Sequence, residues 1–212
     1  MRYYQELTLL PGAEVSLNFL LPKVFMQIHY AFGQYMNQKG YNDIGISFPN
    51  YASTGLGDKI RLIAPDEASL TQLDVMRYME KLNDYIYFLK TRMIPQRKIC
   101  GYSIYSRYRP PAGYMQPQKQ GPAVFSHYAP NKPLERMARR FAKRHPDVSY
   151  EEALKLIKLP KSDLQLPYIT KVNSKSTGQY YQIYVQKKSV DTLIEGGFSS
   201  YGFSSTASVP EF

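Results

Sequence analysis

Five basic residues and three histidines set which chemistry this chain can hold. Arg136, Arg139, Arg140, Lys143 and Arg144 recur at steps of three and four, so on a helix all five share one face. Like charges packed this way repel until a polyanion neutralises them, and the arginine fork fits phosphate. An idle solvated face usually mixes both signs, whereas here only Glu135 is acidic, which favours a nucleic-acid ligand. The catalytic options are narrow. There is no phosphate loop of the Gly-x-x-x-x-Gly-Lys type, no His-x-x-x-His pair, and no carboxylate pairing suited to two metals. Cys100 is the only cysteine, so neither an internal disulfide nor a cysteine metal cluster can form. An enzyme built from these residues works without metal or cofactor. RNA permits that, because its own 2′-hydroxyl is the nucleophile. The protein then supplies a base, an in-line geometry and donors for the phosphate. His29, a serine such as Ser174 or Ser176, and Tyr201 are candidates. Taken singly, each also fits a structural role, His29 as an ordinary helix histidine.

These residues need a scaffold, and the charge pattern suggests how it is divided. The net charge is +10. Residues 1–95 hold nine basic and nine acidic side chains, while residues 96–212 hold 18 and eight and carry the whole excess. A neutral half joined to a basic half predicts a scaffold beside a polyanion-binding surface. With 43% apolar residues the chain can build real cores and is not a disordered polycation. Its most apolar stretch, 17–32, is broken by Pro22, Lys23 and His29, and the opening residues lack a signal-peptide layout. The expectation is a cytoplasmic protein with no membrane span.

Along the first half, Tyr3–Leu9 alternates as a strand does, and Pro11-Gly12 marks a turn. Leu17, Leu21, Val24, Ile28, Phe32 and Tyr35 follow helical spacing up to Gly40. Residues 44–48 and 59–64 read as strands, 66–82 as a helix and 85–89 as a strand. This β-α-β-β-α-β order predicts an α+β, ferredoxin-like fold, the arrangement that RNA-recognition domains also use. Beyond Pro95, residues 99–108 alternate, and 109–133, rich in Pro, Gly, Gln and Tyr, reads as a long loop or insertion. The basic helix follows over 134–144, with Met137 and Phe141 as its core-facing pair. Ser149-Tyr-Glu-Glu152 is a capping box that opens a second helix to about residue 157. Residues 168–172, 180–186 and 195–203 are strand candidates.

Several local sequences give this framework a family resemblance. They are Gly45-Ile-Ser-Phe-Pro49 followed by Leu56-Gly57, His29 in the first helix, and an arginine-rich helix ending at His145. Next come Leu166-Pro-Tyr-Ile-Thr170 and Ser174-Lys-Ser-Thr-Gly-Gln179, then Glu195-Gly-Gly-Phe-Ser-Ser-Tyr-Gly202 and a close on Val209-Pro210 and Phe212. In this order and spacing, from end to end, the chain resembles the Cas6f (Csy4) family, the CRISPR RNA-processing endoribonucleases of type I-F systems. The resemblance implies a ferredoxin-like domain over 1–95 carrying the catalytic histidine. It implies an RNA-hairpin-binding domain over 96–212 carrying the arginine helix 134–144.

It also implies metal-free cleavage of CRISPR repeat RNA at the base of its hairpin, leaving a 2′,3′-cyclic phosphate and a 5′-hydroxyl. The protein would then stay on the 3′ hairpin of the crRNA, beside subunits of the Cas5, Cas7 and Cas8 types. By resemblance the catalytic histidine falls on His29, the catalytic serine on Ser174 and the histidine-orienting tyrosine on Tyr201. Ser176, Thr177 and Gln179 fall in the adjoining phosphate-contacting stretch. The aromatic that stacks on the stem falls on Tyr181, where a relative carries Phe. The helix arginines fall on Arg139, Arg140, Lys143 and Arg144, beside Arg136 of the same stripe. In the family an Arg and a Gln two residues apart read bases low in the stem. Two alignments compete for those positions, Arg107 with Arg109 or His127 with Ala129. Arg107 and Arg109 are preferred, because arginine can grip guanine bidentately and alanine cannot. The alternative to a nuclease is a hairpin-binding subunit that does not cut. A third reading, a basic structural protein of a ribonucleoprotein, predicts broad affinity independent of any hairpin.

Overall fold

The alternation at the start of the chain becomes strand β1 (Tyr3–Leu9), whose Leu7 and Leu9 point into the core at no more than 1% exposure. The computed structural model describes residues 1–109, 123–125, 131–156, 164–173 and 180–212. Helix α1 (Leu17–Lys39) buries Val24, Phe25, Ile28 and Phe32. It stops at Gly40, whose φ of 83° places it in the left-handed region while its N–H bonds the Met36 carbonyl at 2.8 Å. Strands β2 (Gly45–Ser47) and β3 (Lys59–Ala64), helix α2 (Glu67–Leu73) and strand β4 (Ile86–Met93) complete the first motif. The four strands are antiparallel in the order β2-β3-β1-β4. With the β-α-β-β-α-β element order, this is the ferredoxin-like arrangement that the sequence predicted.

One helix is shorter than its pattern. The expected helix over 66–82 ends at Leu73, where Asp74 takes φ 44° and ψ 53° and its N–H caps the Leu70 carbonyl. Asp tolerates the left-handed region better than most residues. Two 3-10 segments, 75–78 and 80–85, then carry the chain to β4. The periodicity survived the break because Val75 and Met79 are still buried beside Leu70 and Leu73.

The remaining elements are β5 (Gly101–Tyr108), β6 (Ala123–Phe125), α3 (Asn131–Arg144), α4 (Tyr150–Leu156), β7 (Leu164–Leu166), β8 (Tyr168–Asn173), β9 (Tyr180–Val190) and β10 (Val209–Glu211). A second antiparallel sheet runs β10-β5-β9-β8. Helix α1 packs against β1 of the first sheet and β8 of the second. Ile169, Ile183 and Val185 thereby join the same buried cluster as Phe25 and Ile60. The chain falls into two compact units, residues 1–108 with 167–212, and residues 109–166. Among the described residues no helix is long and apolar enough to cross a membrane.

In the smaller unit, the stretch expected as a loop over 109–133 includes β6, which pairs with β7, and the first residues of α3. Arg136, Arg139, Arg140, Lys143 and Arg144 are all exposed. Ala138, two residues on from Arg136 and so on the opposite side of the helix, is 0% exposed, as is Ala153 on α4. Met137 is 40% exposed, so it is not the core-facing residue the sequence suggested. It flanks the basic stripe, and small alanines let α3 and α4 approach instead. The capping box of α4 forms as expected: Glu152 Oε2 accepts from the Ser149 N–H at 2.9 Å, and Ser149 Oγ accepts from the Glu152 N–H at 3.2 Å.

Candidate active site

Residues 195–203, expected as a strand, form a turn instead, and that turn builds the site. Three glycines, Gly196, Gly197 and Gly202, and a run of serines suit a turn better than a ladder. The Gly202 N–H bonds the Ser199 carbonyl at 2.8 Å, and the Ser199 N–H bonds the Phe203 carbonyl at 2.8 Å. Asn42, only 2% exposed, ties this turn to the end of α1. Its Nδ2 donates to the Ser199 carbonyl at 2.9 Å, its own carbonyl accepts from the Phe198 N–H at 2.9 Å, and its Oδ1 accepts from the Ile44 N–H at 3.0 Å. Strand β2 adds a bond from the Ile46 N–H to the Gly202 carbonyl at 3.0 Å.

Gly202 is required twice over. Its φ is 72°, and a Cβ there would lie 2.8 Å from Phe32 Cε2 and 2.9 Å from Ile46 Cβ. Gly202→Ala is expected to cost about 2 kcal/mol or more of stability, from the strained backbone and the overpacked core together. Thermal or urea unfolding of the variant reads this directly, and an unchanged midpoint would contradict the fit described.

The turn brings two predicted residues together. His29, half-buried on α1, has Nδ1 2.6 Å from the Ser200 carbonyl. A carbonyl oxygen only accepts, so Nδ1–H donates, and in the neutral ring Nε2 is then the basic nitrogen. The Tyr201 ring stacks on the imidazole, with centroids 4.0 Å apart and planes 5° from parallel. Phe25, fully buried one helical turn before His29, stacks on Tyr201 at 5.9 Å and on Phe203 at 5.7 Å. The imidazole is thus oriented by a main-chain acceptor and an aromatic face, the acceptor lying 171 residues further along the chain. The Tyr201 hydroxyl hydrogen-bonds the Tyr181 hydroxyl on β9. Burial, reinforced by that bond, holds the Tyr201 phenol far above its ordinary value, so it stays neutral wherever an imidazole titrates. Arg107 on β5 lies over the Tyr181 ring, its Cζ 5.2 Å from the centroid.

The larger unit therefore gathers His29, Tyr201, Tyr181 and Arg107 into one run of contacts. Arg109 is exposed and begins the smaller unit, which also holds the five basic residues of α3. Ser174, Ser176, Thr177 and Gln179 lie outside the described residues, as do His127 and Ala129 of the competing alignment. Sequence reasoning missed Asn42 and the Ser200 carbonyl. A lone Asn after a helix-ending glycine looks like any turn residue, and a carbonyl has no letter of its own. Gly202, following the tyrosine in a glycine-rich stretch, was the legible signal for a tight turn.

Comparison with known proteins identifies the family. A family model described as CRISPR-associated protein (Cas_Csy4) matches residues 4–119 and 114–212. The chain belongs to that family, whose members the ferredoxin-like sheet and the order of local motifs had suggested. A protein of Pseudomonas aeruginosa (strain UCBPP-PA14) named CRISPR-associated endonuclease Cas6/Csy4 is 30% identical over 218 residues, covering 100% of both chains. One of Escherichia coli (strain UTI89 / UPEC) with the same name is 26% identical over 213 residues, again covering 100% of both. A solved structure titled CRISPR associated protein Cas6 aligns over 99% of this chain and 98% of its own, at 11% identity and a TM-score of 0.32. At that score the likeness carries no weight beside the strand order.

Proposed function

We propose that this protein is a metal-independent endoribonuclease that cuts CRISPR repeat RNA at the base of its hairpin. The observation that carries the reading is the His29 geometry: Nδ1–H on the Ser200 carbonyl and Tyr201 flat against the ring. That arrangement fixes one neutral tautomer, with Nε2 as a base and the ring held in one orientation. In the proposed step, Nε2 of His29 takes the proton of the 2′-hydroxyl at the cut site. The 2′-oxygen then bonds to the adjacent phosphorus, and the bond from phosphorus to the 5′-oxygen breaks. The 5′-oxygen leaves and takes a proton from water while the His29 imidazolium returns its own to solvent, giving a 2′,3′-cyclic phosphate and a 5′-hydroxyl with nothing consumed overall. Ser174, by family resemblance, holds the 2′-hydroxyl in line. The full-length relatives named as CRISPR-associated endonucleases support the class of reaction.

Affinity in this reading comes from the exposed basic face of α3. An A-form stem offers a major groove too narrow for easy base reading, so these side chains grip phosphates. Arg107, with Arg109, reads bases low in the stem, and Tyr181 stacks on its end. The product remains on the enzyme as the 3′ hairpin of the guide RNA, within a cytoplasmic type I-F complex of Cas5-, Cas7- and Cas8-type subunits.

The deciding experiment uses EDTA and end-labelled type I-F repeat hairpins, each also made with a 2′-deoxy at the cut site. A single cut in the all-ribose RNA, absent from the bound deoxy RNA, is the expected result. Tight binding with no cut in either would leave the hairpin-capping subunit as the function. The pH dependence adds a check. Because a base must be neutral, the single-turnover rate should climb as pH rises through the imidazole range, about 6.5 for an unperturbed histidine, and then level off. A rate flat from pH 5 to 8 would remove His29 from the role of base.

A further inference from the structure

We infer that the Tyr181 hydroxyl is a positioning group that couples RNA contact at Arg107 and Tyr181 to the orientation of His29. This rests on the proposed nuclease function and adds a residue-level account of how recognition reaches the base. Three contacts carry it. Arg107 lies over the Tyr181 ring, the Tyr181 and Tyr201 hydroxyls hydrogen-bond each other, and the Tyr201 ring lies flat on His29. The aromatic ring alone could stack on RNA. Only the hydroxyl ties that ring to Tyr201.

The direction of the effect follows from what each contact constrains. Tyr201 is held along its face by Phe25 and His29. Face-to-face packing leaves a ring able to slide in its own plane. The bond at the far end of the phenol removes that freedom, so the position of Tyr181 sets that of Tyr201. Strands β5 and β9 are neighbours, and Arg107 pairs in register with Val185, four residues beyond Tyr181 on β9. The Arg107 side chain thus reaches back along β9 to cover the ring. A base that draws the guanidinium toward its own edge, or that stacks on Tyr181, presses on the same ring. The hydroxyl pair then passes the displacement to Tyr201 and so to the imidazole. A wrong base at this point would slow the chemical step as well as weaken binding.

Tyr181→Phe tests this, because it keeps the stacking ring and deletes only the oxygen. On a hairpin that the wild type cleaves, the single-turnover rate should fall roughly three- to tenfold, the scale of one lost neutral hydrogen bond. The Kd for the 2′-deoxy hairpin should stay within about twofold, the ring being unchanged. The variant should also lose discrimination in rate, but not in Kd, when the lowest base pair of the stem is inverted. Tyr201→Phe and the double variant should each lose no more than Tyr181→Phe alone, since all three remove one bond. A rate equal to wild type, or losses that multiply in the double variant, would overturn the coupling.

A second readout needs no RNA. The His29 ring-proton resonances feel the current of the stacked Tyr201 ring. They should move in Tyr181→Phe, and by the same amount in Tyr201→Phe. Unmoved resonances would overturn the inference while leaving the nuclease intact. Failure of the wild type to cut any repeat hairpin would instead remove the functional reading on which the inference stands.

Discussion

His29→Ala is expected to slow cleavage of a bound hairpin by about 10²- to 10⁴-fold, the usual span for a positioned general base, with affinity nearly unchanged. The separation follows from where the side chain stands. The imidazole is half-buried between the Ser200 carbonyl and the Tyr201 ring, while the exposed cationic face belongs to α3. Removing it deletes a proton acceptor and few charges. Single-turnover rates read the first effect, and Kd values on the 2′-deoxy hairpin read the second. The residual rate should also lose its rise through the imidazole range. Thermal unfolding of the variant controls for the lost Nδ1–H bond to the turn. A rate within tenfold of wild type, with the protein folded, would mean that another group takes the 2′ proton.

The arginine helix should show the opposite signature. Arg139→Ala, Arg140→Ala and Arg144→Ala combined are expected to weaken hairpin binding by roughly 10²-fold or more, since each charge-assisted contact counts for more than a neutral one. The plot of log affinity against log salt should flatten by roughly two to three, by the duplex value of about 0.9 per phosphate contact. Once the RNA is saturated, the cleavage rate should change far less than the affinity. Arg140 and Arg144 face away from the buried Ala138, whereas Arg139 Cζ lies 6.0 Å from the centroid of the Tyr150 ring on α4, so thermal unfolding of the variant controls for that lost contact. An unchanged salt slope would mean that these residues face solvent in the complex.

The elements best read from sequence were those whose burial and geometry repeat. Helix α1 was legible because its apolar residues keep helical spacing up to a glycine that must end it. The ferredoxin-like order followed from strands whose apolar residues alternate, such as Leu7 and Leu9 on β1. The misreadings share a cause. At Asp74 the backbone turns left-handed while burial continues through Val75 and Met79, so the apolar pattern does not register the break. On α3 the inward residue is Ala138, too small to mark a core by its letter, and Met137 attracted the assignment instead. In 195–203, spaced aromatics imitated a strand, whereas the glycines and the Asn42 bonds make a turn. The site was half legible. His29 and Tyr201 were named, but what holds them in contact is a main-chain carbonyl and a buried asparagine, neither visible without the fold.

That the turn at 198–204 reaches back to His29 has a consequence during synthesis. The β-α-β-β-α-β motif leaves the ribosome first, and its core waits for Ile169, Ile183, Val185, Phe198 and Phe203 from the end of the chain. The histidine it carries has at that stage neither the carbonyl that fixes its tautomer nor the ring that flanks it. A nascent chain therefore carries His29 without these contacts until Ser200 and Tyr201 have emerged. An interrupted translation product would lack both the contacts that hold His29 and the apolar residues that complete the core around it.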